Sequence, residues 1–124
     1  PPGPKNVLGV VKFLFPNKFN IYLHDTPSRQ LFASTGRAFS HGCIRVHEAE
    51  VFAEKLMGLD RGMTKDEIDA IVAYGELKRI NLKQKVPVHL AYFTVWIGDD
   101  GVVQFFPDIY SRDRPVAQIL FGQS

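Results

Sequence analysis

The hydrophobic period changes twice along this chain, and that limits the folds open to it. Residues 7–15 (VLGVVKFLF) are apolar and β-branched and end at Pro16-Asn17, a turn pair, which predicts a strand. In residues 19–24, Phe19, Ile21 and Leu23 alternate with Asn20, Tyr22 and His24. Successive side chains of a strand point to opposite faces. The first set is therefore expected on a core face, and Tyr22 and His24 together on the other, towards a cleft or solvent. From His47 the spacing becomes helical. Ala49, Phe52, Ala53 and Leu56 follow the i, i+3, i+4, i+7 template, with an end expected near Gly58. Thr64-Lys65-Asp66-Glu67 is a capping box that opens a second helix, with Ile68, Ile71 and Val72 as its buried stripe and Gly75 as its stop.

After Gly75 the pattern returns to strands: a short one at 79–82 and a longer one at 86–97. A hairpin turn at 98–101 and a return strand at 102–106 follow. Residues 107–114 read as a polar loop, and 116–121 as a short helix or a last strand. Strands, a helical insert, then strands predict a mainly β barrel or sandwich with two helices packed on one side.

A length of 124 residues suits a single domain, 1–124, with a core of its own. A net charge of +2, with lysines and arginines scattered, gives no footprint for nucleic acid. No apolar run approaches the roughly 18 residues of a membrane span. The chain opens Pro1-Pro2-Gly3-Pro4 without a methionine and is expected to be a segment of a longer protein. Its one cysteine, Cys43, excludes an intrachain disulfide framework and is a candidate nucleophile.

Cys43 lies in residues 40–45 (SHGCIR), after a loop at 25–39 of polar and small residues. A thiol attacks as its thiolate and needs a base or a positive environment. His24, on the cleft-facing side of its strand, is the best base in the sequence. It can take the thiol proton and return it to a leaving amine. Arg45 and Arg37 can favour the thiolate or hold a substrate carboxylate, and Arg45 can equally serve a structural ion pair. Gly42 lets a tight turn approach substrate closely. The N–H groups of His41, Gly42 and Cys43 can converge as an oxyanion hole, and a helix starting near Val46 or His47 would aim its dipole at the thiolate. Asp25, adjacent to His24 on an extended chain, points to the other face, so a backbone carbonyl is expected to hold the imidazole N–H. His41 is either a second base or a structural histidine whose main chain matters. Two competing readings are a small buried cysteine and a zinc site from His24, His41, Cys43 and His47. No Cys-x-x-Cys pair supports the zinc site. His89 is expected on a sheet face, and Tyr92, Phe93 and Trp96 in core or sheet packing.

Residues 40–45, with His24 in Tyr22-Leu23-His24-Asp25-Thr26, resemble the active-site signature of the YkuD-type L,D-transpeptidases. That signature is a histidine, an interval in the mid-teens, then Ser or Thr, His, Gly, Cys, an apolar residue and Arg or Asn. Here 15 residues separate His24 from Ser40. Pro2-Gly3-Pro4, Val11-Lys12-Phe13, Phe15-Pro16-Asn17 and Asp108-Ile109-Tyr110 with Arg112-Asp113 are similar to the YcbB-like periplasmic branch.

The resemblance implies an enzyme of the periplasm or cell envelope that makes 3–3 cross-links in peptidoglycan, without a metal or organic cofactor. Its partners would be a donor tetrapeptide stem, an acceptor amine and carbapenem-type inhibitors. Cys43 would be the nucleophile and His24 the base. The backbone of His41, Gly42 and Cys43 would form the oxyanion site, and Tyr22, Arg45 and Ser40 would contact substrate. Domains of that branch begin with further strands and a lid, so the resemblance also implies an N-terminally incomplete domain. The same thioester serves an L,D-carboxypeptidase or an enzyme coupling peptidoglycan to protein. A catalytically inactive peptidoglycan-binding fragment is the reading outside enzymes.

Overall fold

The computed structural model describes residues 2–3, 5–40 and 42–122. It divides into two compact units, residues 1–87 and 88–124. Among the described residues they hold two sheets and three α-helices, with most residues outside the helices.

The first unit opens with turns where a long strand was expected. Asn6 accepts the Leu8 N–H on its side chain at 2.9 Å and the Gly9 N–H on its carbonyl at 2.8 Å. Gly9 then takes φ +60°. Only Lys12–Phe13 forms β1. The second expected strand shortens for a related reason. Asn17 accepts the N–H groups of Phe19 and Ile21, each at 3.0 Å, and donates to the carbonyls of Phe15 and Ile21. One amide side chain thus takes the place of a ladder, as turn-forming Asn residues do. Asn20 sits at φ +54°, which breaks the pleat. Alternation counted through Asn20 therefore fails. Phe19, expected in the core, is 68% exposed, and His24, expected to face a cleft or solvent, is 5% exposed. What remains is β2, Leu23–His24.

After a 3₁₀ turn at Arg29–Ala33, Ile44–Arg45 forms β3. The sheet order is β1-β2-β3, antiparallel then parallel. Lys12 stands opposite His24, and His24 opposite Arg45. Tyr22 and His24 carbonyls accept the N–H groups of Ile44 and Val46 at 3.1 and 2.9 Å.

Helix α1 (Ala49–Arg61) runs past Gly58 to Gly62. An interior glycine costs only about 1 kcal/mol, too little to stop a helix that packs well. At φ +70° Gly62 takes the left-handed position that ends the helix, and Met63 N–H closes onto the Met57 carbonyl. The buried stripe is Ala49, Ala53 and Met57. Phe52, expected in that stripe, is 43% exposed and sets its ring 4.8 Å from that of Phe13 on β1. Helix α2 (Lys65–Tyr74) starts on the expected capping box. Thr64 Oγ1 accepts the Glu67 N–H, and Glu67 accepts the Thr64 N–H. Ile68 buries against the core, and Gly75 ends the helix.

The strand expected at 79–82 is replaced by a latch. Asp60, at the end of α1, accepts the N–H groups of Lys83 and Gln84 at 3.1 and 2.9 Å, and Arg61 donates to the Asn81 carbonyl. These bonds tie the end of the segment to α1 in place of a strand ladder.

The second unit is a hairpin and a helix. Strand β4 (Val95–Ile97) pairs antiparallel with β5 (Val103–Phe105), Trp96 opposite Gln104. The turn at 98–101 closes as expected, with Gly101 at φ +76° and the Asp100 side chain accepting the Val102 N–H. Of the strand expected at 86–97, only β4 is paired, and His89 lies outside any strand. Tyr92 meets Tyr110, and Phe93 meets Trp96, at 5.1 and 5.8 Å between ring centroids, but all four rings stay exposed. Asp108 accepts the Tyr92 hydroxyl and the N–H groups of Arg112 and Asp113. It thereby satisfies the start of α3 (Asp113–Phe121), the helix rather than strand of the two readings of the tail.

Candidate active site

The three-stranded sheet gathers the chemistry-bearing residues. His24 ends β2 and is buried, flanked by Asp25 at 6% and Thr26 at 2% exposure. Its Nδ1 lies 2.5 Å from the main-chain oxygen of Asp25. A carbonyl can only accept, so Nδ1 carries the proton, and Nε2 of the neutral ring is left as the basic nitrogen. The expected backbone carbonyl is thus the ring's partner. The Asp25 side chain is used elsewhere: Oδ2 accepts the Val10 N–H at 3.0 Å, and Asp25 N–H donates to the Val11 carbonyl at 2.9 Å. Gly9 makes this seat possible, because a Cβ there would lie 2.0 Å from Asp25 Oδ2. The clamp fixes the residue whose carbonyl holds His24.

Cys43 immediately precedes β3 and is half-buried. The turn before it is closed by Ser40, whose hydroxyl donates to the Cys43 carbonyl at 2.5 Å and accepts the Gly42 N–H at 3.3 Å. Gly42 has φ +144°, a conformation that L side chains rarely adopt, though a Cβ would meet only Ile21 at an ordinary 3.5 Å. Backbone angle, not crowding, requires glycine here. With the Gly42 N–H turned to Ser40, the Cys43 N–H is the donor of this turn without a partner among the described residues. His41 lies outside the described residues.

Tyr22 connects the two halves. Its ring meets His24 edge-on, 5.9 Å between centroids. The phenol is held above its ordinary value of 10.0, first by loss of solvent, then by the charge of Cys43 and a hydrogen bond with its thiol. A protonated phenol donates, so Tyr22 can hold the sulfur by its O–H. Among the described residues no hydrogen bond joins the His24 ring to Cys43 directly. Arg45, opposite His24, keeps its Nε buried without a hydrogen-bond partner among the described residues. Lys12, opposite His24 on the other side, places its Nζ 5.7 Å from the Tyr22 ring centroid. Sequence reasoning passed over Lys12. The signal was there, as the one charged residue within the apolar run 7–15. His47 sets its ring against Phe32 at 5.0 Å, and no three His, Cys, Asp or Glu side chains cluster among the described residues.

A model of the YkuD L,D-transpeptidase catalytic domain matches residues 1–88. This chain belongs to the YkuD L,D-transpeptidase catalytic-domain family. A Haemophilus influenzae protein named "Putative L,D-transpeptidase" is 37% identical to it over 111 residues, covering 90% of this chain and 22% of that protein. This YkuD chain thus spans about a fifth of the length of that relative. The family match covers the whole β1-β2-β3 sheet and both helices of the first unit. No helix among the described residues is long and apolar enough to cross a membrane.

Proposed function

We propose that this chain carries the reaction centre of a cysteine L,D-transpeptidase that forms 3–3 peptidoglycan cross-links. The observation that carries this reading is the strand pairing that seats His24 beside β3, directly after Cys43, in a chain matched to the family's catalytic domain. His24 Nε2 takes the thiol proton, and the sulfur attacks the carbonyl carbon between diaminopimelate and the terminal D-Ala of a donor stem. The tetrahedral oxyanion is held by main-chain donors around Cys43, with Gly42 shaping the turn. Each such donor is worth about 2.7–4 kcal/mol in comparable sites. The C–N bond breaks as the imidazolium returns its proton to the departing D-Ala amine, leaving a thioester. The side-chain amine of a second stem attacks it, forms the cross-linking amide and releases the thiol. This balance needs no metal or organic cofactor. Tyr22 and Arg45 line the pocket, and Ser40 shapes the turn that presents the thiol to substrate. The site works in the periplasm or cell envelope, where its stems are, within a domain closed as a β barrel or sandwich.

Incubation with a carbapenem, read by intact-mass spectrometry, tests this. One adduct is expected, absent in Cys43→Ala. A folded chain that gains no adduct, or a Cys43→Ala chain that keeps it, overturns the reading.

A further inference from the structure

The register of the three-stranded sheet aligns more than the thiol and imidazole. Lys12, His24 and Arg45 are direct partners across β1, β2 and β3. Directly paired residues project from the same face of a sheet. Tyr22, two positions before His24, meets its ring and reaches the Cys43 thiol, so these groups lie at that face as well. The Tyr22–His24 and Lys12–Tyr22 contacts agree with this. The nucleophile and base are thus flanked by two cations. Neither cation is ion-paired to a carboxylate among the described residues, whose ion pairs are Arg29–Glu50, Arg61–Asp60 and Lys65–Asp69. Arg45 has a buried, unpartnered Nε, and Lys12 is exposed. The Asp25 carboxyl accepts the Val10 N–H and makes no ion pair with either cation among the described residues. Two uncompensated cations beside a reaction centre favour a substrate that brings its own negative charge.

We propose that Lys12 is a specificity-determining residue that grips a carboxylate of the peptide substrate from the β1 side of the site. The proposal rests on the transpeptidase reading for the location of the site. It goes beyond that reading by assigning a residue before the His24 strand to substrate selection. The cation over the Tyr22 ring is held by attraction to the ring face, which places it without consuming its charge. Lys12 is then a point charge with three donors, suited to a carboxylate whose position is fixed by the rest of the peptide.

The test is equilibrium binding by calorimetry, in a Cys43→Ala background so that nothing is turned over. The probes are the tetrapeptide L-Ala-γ-D-Glu-meso-diaminopimelyl-D-Ala and three versions, each with one carboxyl converted to a carboxamide. With Lys12 present, one of the three amidations is expected to weaken binding by about tenfold or more, the scale of a charge-assisted contact. In Lys12→Met the same amidation should change affinity by less than about twofold, and Lys12→Arg should restore the discrimination. Because Lys12 is exposed, Lys12→Met should melt with the parent. If Lys12→Met keeps the full sensitivity, or no amidation matters with Lys12 present, the proposal is overturned. Failure of the transpeptidase reading shows separately, as a wild-type chain that keeps this binding pattern yet forms no carbapenem adduct.

Discussion

Gly9→Ala should damage the seat of His24 from 15 residues away in sequence. The new Cβ would stand 2.0 Å from Asp25 Oδ2, 2.4 Å from its Cγ and 2.6 Å from its Cβ. No side chain tolerates such contacts, and the one to Cβ is not relieved by a rotamer change, so Asp25 must move as a whole and release the Val10 N–H it holds at 3.0 Å. Leaving a partly buried donor without its partner costs about 1–3 kcal/mol. Gly9 also sits at φ +60°, where an L side chain costs about 1–2 kcal/mol. The two together give about 2–5 kcal/mol, a large share of the 5–15 kcal/mol typical of a domain. Urea unfolding measures the total, and amide exchange at Asp25 and Val46, whose N–H bonds lock β2 into place, reports the local loss. In an Asp25→Gly background, which removes the Cβ as well as the carboxyl, the clash disappears, and only the backbone term of about 1–2 kcal/mol should remain. Equal costs in the two backgrounds, or a Gly9→Ala chain within about 0.5 kcal/mol of the parent, would refute the clamp.

Other consequences follow from the same geometry. Thr64→Ala removes one half of the capping box and should cost about 1 kcal/mol in urea unfolding, whereas Thr64→Ser should cost much less. Asp60 is held below its ordinary 3.8, chiefly by the N–H groups of Gln84 and Lys83 and then by Arg61. A carboxyl depressed on folding stabilises above its unfolded value and loses that contribution as pH falls through the folded one. The stability gap between the parent and Asp60→Asn should therefore be full near neutral pH and close on acidification below 3.8; a gap constant with pH would contradict the latch. His24→Ala should retain the fold by circular dichroism and slow carbapenem acylation of Cys43 by about a hundredfold or more. Near-normal acylation would assign the base to another group.

Much of the local structure could be read from sequence because its causes are local. The capping box at Thr64–Glu67, the stop at Gly75 and the turn at 98–101 each depend on residues within a few positions of one another. The strands were over-read where a side chain competed for the backbone. Asn17 and Asn20 took residues 17–21 out of the pleat, and Asp60, on α1, captured the N–H groups of residues 83 and 84, just past the strand expected at 79–82. Hydrophobic periodicity carries no record of such captures, which join groups up to 24 positions apart.

The sequence by itself carries the candidate site. The spacing from His24 to Cys43, the lone thiol and the glycine before it are properties of the chain, and they hold whatever the strand lengths turn out to be. The tertiary structure decided how those groups are held. It gave His24 its tautomer through the Asp25 carbonyl, spent the Asp25 carboxyl on Val10, set Tyr22 against the thiol and brought Lys12 level with the imidazole. Each of these depends on which strands pair and in what register. Register is a relation between distant segments, fixed by their joint packing, so no single stretch of sequence contains it.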